Sequence, residues 1–231
     1  SRIKASSPEG VISLEDISLE SRTRLQKKLL RSNSVYSFRK GRFGDFRVPS
    51  GNLTVHMENI DPAVQAKIGS ILYRQSPDNI TQEEVKELAR GFLTRSPELE
   101  SALRLKTEEG NVRMDISSEF DGSGKLNLQA LGLVSRLRFS VQGSVPHRIG
   151  VKLASLPARF IGKDQSFGEE DPLSRRERVE RQARSWLKRL REKGYITRDE
   201  GSYASSLQLK KGMLTVNDKP FFPLKSFLGN Q

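Results

Sequence analysis

The chain has 231 residues, a formal net charge of +12 and no cysteine. The lack of cysteine excludes disulfides, thiolate catalysis and cysteine zinc sites, and no run of about eighteen consecutive apolar residues is present to span a bilayer. The positive charge favours an acidic partner, either nucleic acid or an anionic lipid surface, although a solvated basic surface gives the same composition.

The composition also bears on domain organisation. Hydrophobic residues make up 35% of the chain and charged residues 29%, a polar balance that fits an extended sheet with a large surface. We expect residues 1–10 to be disordered or foreign to the natural protein, and residues 11–229 to form a single elongated domain. The chain opens on Ser1 without a signal-like segment, so any targeting segment is expected upstream.

Alternating residues mark the first strands. Residues 11–20 alternate between apolar and polar side chains, with a one-residue shift that predicts a bulge near Glu15 and Asp16. The basic and polar residues 22–31 have leucines at helical or irregular spacing. Residues 52–59 predict a half-buried strand.

The period then becomes helical, and a helical subregion is predicted over residues 61–95. Asp61 and Pro62 are typical of the start of a helix, where Asp caps the free amides and Pro occupies the first turn. Thr81 and Glu84 have the spacing of a capping box, which predicts the start of a second helix.

The second half of the chain alternates between these two patterns. Residues 111–120 and 137–141 predict strands, and residues 126–133 predict either a strand or a short helix. Asp171-Pro172 opens the longest predicted helix, over residues 172–193, which Gly194 ends.

A hairpin is predicted over residues 203–217. Two alternating runs face each other across Gly212, which supplies the positive φ that a tight turn requires. We expect Leu207, Leu209, Leu214 and Val216 to lie in the sheet, with at least Leu207 and Leu209, or Leu214 and Val216, facing a helix.

These elements predict an α+β fold. A large, curved, mainly antiparallel sheet would be covered on one face by the helices, because hairpins separated by helices argue against strict βαβ alternation.

The helix over 172–193 is the most basic part of the chain. We select its arginines and lysines as the candidate site for an anionic partner: Arg175, Arg176, Arg178, Arg181, Arg184, Lys188 and Arg189. A narrow apolar stripe is expected to pack on the sheet and to be buried, and it consists of Val179, Ala183, Trp186, Leu187 and Leu190.

The residues available for catalysis or metal binding are few. His56 is expected to be exposed on a strand, and His147 lies next to Arg148, which would lower the pKa of its imidazole. The acidic run Glu169-Glu170-Asp171 precedes a helix, where capping explains it. We therefore predict no catalytic residue, no metal site and no cofactor.

Four short motifs resemble the YdgA-like family of bacterial envelope proteins. They are Glu58-Asn59-Ile60-Asp61, the turn Arg95-Ser96-Pro97-Glu98-Leu99, the corner 105–112, and the stretch from Gly194-Tyr195-Ile196 to Asn217. Their order and spacing carry the resemblance. It implies a C-terminal portion of an envelope protein, periplasmic and anchored to the inner membrane by a segment outside this chain, and it supplies no catalytic residues.

The expected function follows from the resemblance and the charge. We expect a non-enzymatic envelope module that binds a partner protein or an anionic or hydrophobic envelope molecule. A basic nucleic-acid-binding protein and a hydrolase with an unrecognised site are the alternatives. The expected partners are an envelope protein or an anionic lipid surface, with nucleic acid bound only non-specifically.

Overall fold

The computed structural model describes residues 2–7, 10–43, 46–72, 81–125, 130–161 and 172–223. The strands are β1 (Arg2–Ser7), β2 (Gly10–Gln26), β3 (Leu29–Phe43), β4 (Phe46–Ile60), β5 (Glu98–Thr107), β6 (Gly110–Phe120), β7 (Leu137–Pro146), β8 (Thr197–Asp199), β9 (Ser202–Lys210), β10 (Met213–Val216) and β11 (Lys219–Pro223). The helices are α1 (Pro62–Leu72), α2 (Gln82–Leu93), α3 (Ala130–Arg136), α4 (His147–Ile161) and α5 (Pro172–Glu192).

The described strands form one antiparallel sheet in nearly sequential order. β1 to β7 lie side by side, β7 then pairs with β9, and β10 and β11 complete the far edge, while β8 pairs with β9 off this path. The helices α4 and α5 therefore lie in the chain between two neighbouring strands. β1 falls within residues 1–10, which we expected to be disordered or foreign to the natural protein, and it pairs with β2.

Three tight turns join strands with two residues of positive φ each, which is the geometry of a type I′ turn. They are Lys27-Lys28, Lys211-Gly212 and Asn217-Asp218. The turn at Gly212 confirms the predicted hairpin. Its four apolar residues lie in the sheet as predicted, Leu207 and Leu209 in β9 and Leu214 and Val216 in β10. Leu209 and Val216 are buried, and Leu207 and Leu214 are half-buried.

The reading of residues 22–31 as helical or irregular is wrong, because Lys27 and Lys28 adopt positive φ and let β2 run directly into β3. The strands are held there by backbone pairing and by hydroxyl pairs such as Thr23 with Ser32 at 3.1 Å. The bulge predicted near Glu15 is confirmed, since the register of β2 against β3 shifts there and Asp16 has a φ of 54°.

The prediction of an α+β fold with helices covering one face is wrong. The chain is mostly one antiparallel sheet of eleven strands in its described part, and helices are few. Three strands of fifteen to seventeen residues, β2, β3 and β4, make up much of it. Polar cross-strand pairs stabilise these long hairpins, against which none of the described helices packs extensively.

The helices fall into two groups. α1 and α2 contact each other, and α2 begins with the predicted capping box, in which Thr81 Oγ1 accepts from the Glu84 amide at 3.2 Å. α4 contacts β7 and β9, and α5 packs on α4. Gly150 permits the close approach of α4 to β9, because a Cβ at position 150 would lie 2.7 Å from the ring of Tyr203.

Of the sequence predictions, the run Glu169-Glu170-Asp171 and residues 126–129 lie outside the described ranges. Residues 130–136 of the ambiguous segment form α3. None of the helices in the described ranges is long and apolar enough to cross a membrane.

Candidate functional site

The basic helix α5 is fixed to the protein through a small apolar cluster. Ala183 and Leu187 are 4% and 6% exposed and pack with Val151 of α4, which is 3% exposed. Ile196, just before β8, and Tyr203 of β9 pack against this cluster. Two of the five predicted stripe residues thus hold α5 in place, one turn apart on the same helical face.

The C-terminal end of α5 is held by β9 and by the turn between β10 and β11. Gly194, with a φ of 76°, ends the helix as predicted. Its carbonyl accepts a 3.0 Å hydrogen bond from Asn217 Nδ2, and Asn217 Oδ1 accepts one from the Ser206 amide at 2.8 Å. Ser205 Oγ donates to the Tyr195 carbonyl at 2.8 Å. The sheet therefore sets the orientation of the outer surface of α5.

Trp186 is not buried as the apolar stripe predicted. Its side chain is 48% exposed, at the border of the docked stripe. Trp186 and Arg189 lie on α5, and Lys193 follows its last residue. The Lys193 amide donates to the Arg189 carbonyl at 3.0 Å, which continues the helical turn, so the three residues at helical spacing share one side. Arg189 and Lys193 are exposed, and neither has an ion pair with a carboxylate among the described residues. We call these three residues the tryptophan row.

The seven predicted site residues separate into groups with different surroundings. Arg184 lies 4.0 Å from Glu180, and Lys188 lies 3.9 Å from Glu192, so each has a carboxylate one turn away. Arg178 is half-buried, and the side chains of Arg175 and Arg176 lie outside the described part of the structure. The remaining two, Arg181 and Arg189, are exposed and make no ion pair within the described residues.

Of the tryptophan row, only Arg189 was among the site residues selected from the sequence. Lys193 was counted among the basic residues of the predicted helix but was not selected for the site, and Trp186 was placed in the buried apolar stripe. Helical spacing alone puts Trp186 at the edge of the apolar stripe, where either environment is compatible with its position. The basic neighbours three and seven residues further along were the signal that could have placed it outside.

Comparison with known proteins gives a family for the chain. The sequence model of the family DUF945, described as a bacterial protein of unknown function, matches residues 1–223. The chain belongs to the DUF945 family. No curated protein and no solved structure matches it.

The two histidines of this DUF945 protein lie in different environments. His147, at the start of α4, has its ring 4.8 Å from that of Tyr203. Burial lowers the pKa of His147, and the positive charges of Arg198 and Arg184 lower it further. The direction of this pKa shift is the one predicted, but Arg148 is not its cause. The guanidinium of Arg148 lies 3.4 Å from the carboxylate of Glu109.

His56 is half-buried rather than exposed as predicted. Its Nε2 lies 2.7 Å from Glu58 Oε1, and the guanidinium of Arg31 lies 2.9 Å from the same oxygen. The hydrogen bond from His56 lowers the pKa of Glu58, and the charge of Arg31 adds to this effect. Across the described residues, no group of three or more histidines and carboxylates has the arrangement of a metal site.

Proposed function

We propose that this DUF945 protein is a non-enzymatic module that binds the surface of an anionic bilayer through α5. The observation that carries the proposal is the tryptophan row, in which a half-exposed indole stands beside two cations that have no ion pair with a carboxylate among the described residues. Tryptophan is enriched at the membrane interface, where its ring meets the lipid headgroups and chains, and basic side chains are attracted to anionic headgroups.

We further propose that the protein is YdgA-like and lies in the bacterial envelope. In this proposal it is periplasmic and anchored to the inner membrane by a segment outside this chain. The resemblance of the four motifs supports this placement, as does membership of a bacterial family. An anchored module lies close to headgroups at all times, so each weak contact gains from a high effective concentration.

The charge and the single indole favour a bilayer over nucleic acid as the ligand. Proteins that bind single strands use several aromatic side chains as stacking platforms, and α5 has one aromatic residue. A lipid surface requires only the charge and an amphipathic anchor. DNA binding by this helix should therefore be weak, independent of sequence and lost as salt rises.

Co-sedimentation with vesicles tests the proposal. The protein should bind phosphatidylglycerol vesicles in low-salt buffer and should not bind phosphatidylcholine vesicles. The double variant Arg189→Gln with Lys193→Gln should bind about 30-fold more weakly, because each basic residue near an anionic surface contributes about 1 kcal/mol.

A matched control removes the same charge from the same helix. The variant Arg184→Gln with Lys188→Gln loses two cations that already have carboxylate neighbours at 4.0 Å and 3.9 Å. Its vesicle binding should fall much less than that of the Arg189 and Lys193 variant. Equal losses in both variants would contradict a defined contact surface and would leave only net charge as the cause.

A further inference from the structure

A second concentration of positive charge lies on the sheet, away from α5. Strands β3 to β6 line a cavity of about 420 Å³ with three consecutive residues each. The charged lining residues are Arg39, Arg104, Lys106 and Arg113. Ser37, Ser50, Asn52 and Asn111 add polar groups, and none of the described residues that line this cavity is a carboxylate.

The strand register places these cations on one face of the sheet. Ser50 pairs with Arg39 on one side and with Lys106 on the other. Arg104 lies directly opposite Arg113 across β5 and β6. Directly paired residues of antiparallel strands point to the same face, and like charges in that position repel. The four cations therefore share one face of the sheet, and the repulsion between Arg104 and Arg113 lowers the stability of the free protein.

The carboxylates nearby neutralise only part of this cluster. Arg104 pairs with Asp115 at 2.5 Å and donates to the Leu103 and Met114 carbonyls at 3.0 and 3.2 Å. Glu15, which faces Arg39 in the register, pairs instead with Arg2 at 3.3 Å.

Within the described ranges, Arg39, Lys106 and Arg113 have no ion pair. Three cations without an ion pair in the described part of the chain thus lie around Arg104, whose guanidinium is held by its own hydrogen bonds.

We propose that this cavity binds a phosphate-bearing molecule. Guanidinium groups match phosphate oxygens with paired hydrogen bonds, and the hydrogen bonds of Arg104 hold its guanidinium in place in advance. Asn52 Oδ1 accepts from Thr54 Oγ1 at 3.1 Å, which fixes the amide while its NH₂ group can donate to a ligand. The cavity volume falls in the range of small-molecule sites, about 300–1,000 Å³.

Calorimetric titration with inorganic pyrophosphate in low-salt buffer tests the site. The wild-type protein should bind one pyrophosphate, and Lys106→Gln with Arg113→Gln should bind about 100-fold more weakly, about tenfold for each lost cation. Arg113→Gln alone should also raise the melting temperature of the free protein, because Arg104 loses the like charge opposite it. Lys106→Gln alone provides a folded test if the double variant does not fold, because Lys106 is exposed.

A matched control removes two exposed cations from outside the cavity, in Arg22→Gln with Lys210→Gln. Its affinity for pyrophosphate should change by less than about threefold, since separated surface charges are screened. Absence of binding to the wild-type protein, or an equal loss of affinity in the control, would overturn the proposal.

The source of the phosphate is distinguished by a second probe, a short-chain phosphatidylglycerol below its micelle concentration. Tighter binding of this lipid than of pyrophosphate identifies a headgroup as the ligand, and the reverse identifies a free phosphate compound, provided that Lys106→Gln with Arg113→Gln weakens either one. The same variant should retain vesicle binding through the tryptophan row, so the two proposals stand or fall separately.

Discussion

The position of α5 decides which of its side chains can meet a ligand, and Leu187→Ala tests that position. Leu187 is 6% exposed in a cluster with Val151 and Ala183. The substitution removes three buried carbon atoms, at about 0.8 kcal/mol each, and leaves part of a cavity. The free energy of unfolding should therefore fall by about 3 kcal/mol, which corresponds to a drop in melting temperature of about 6–12 °C for a chain of this size.

Urea denaturation followed by circular dichroism measures the change. Ser185→Ala is the control, because Ser185 is exposed on the same helix and should change stability by no more than about 0.5 kcal/mol. A cycle with Val151→Ala should give a coupling of about 1 kcal/mol, as expected for side chains in contact. An unchanged denaturation midpoint for Leu187→Ala would show that α5 does not pack through this stripe. It would then contradict the assignment of the tryptophan row to the exposed side of α5.

Three further changes test other parts of the fold. Gly51→Ala should destabilise the protein by about 1–3 kcal/mol in urea denaturation, since a Cβ there would lie 2.2 Å from the ring of Phe38. Asn217→Ala should cost about 2 kcal/mol by the same measurement, because the bond to the Gly194 carbonyl is lost and alanine tolerates a φ of 47° poorly. Because the pKa of His147 is lowered in the folded protein, the unfolded chain binds more protons, and stability should fall as pH decreases below about 6.5. His147→Gln should remove that part of the pH dependence when denaturation midpoints are compared across pH values, and an unchanged slope would contradict the assigned environment.

Local rules were sufficient wherever a single residue type determines the backbone. The hairpin at Gly212, the end of α5 at Gly194 and the capping box at Thr81 and Glu84 were all predicted from sequence and are present. Each depends on one glycine or on one reciprocal pair of hydrogen bonds. Such features require no knowledge of the rest of the fold.

The extent of the sheet could not be read in the same way. Type I′ turns usually contain Gly or Asn, so Lys27-Lys28 gave no signal, and the polar strands beside it looked irregular. The wrong fold class followed from missing this turn. Strands β2 and β3, which it joins, are long and form much of the sheet, whereas the sequence predicted only short strands there. The helix α4, over His147–Ile161, was not predicted at all.

For the candidate site, sequence reasoning found the basic helix but not its contact surface. Trp186 and Leu187 are neighbours in sequence and were both assigned to the core, yet only Leu187 is buried. Which edge of an apolar stripe stays exposed depends on the helix that packs against it, here α4. The cations of the β3–β6 cavity come together only through strand register, which no spacing within one segment reveals.

The fluorescence of Trp186 tests the central claim most directly, since it is the only tryptophan in the chain. If α5 lies on the bilayer, phosphatidylglycerol vesicles in low-salt buffer should shift its emission to shorter wavelength, and lipids brominated near the headgroup should quench it. Phosphatidylcholine vesicles should do neither, and added salt should reverse both effects. Vesicle binding with unchanged Trp186 emission would contradict the account, because another surface would then hold the protein on the lipid.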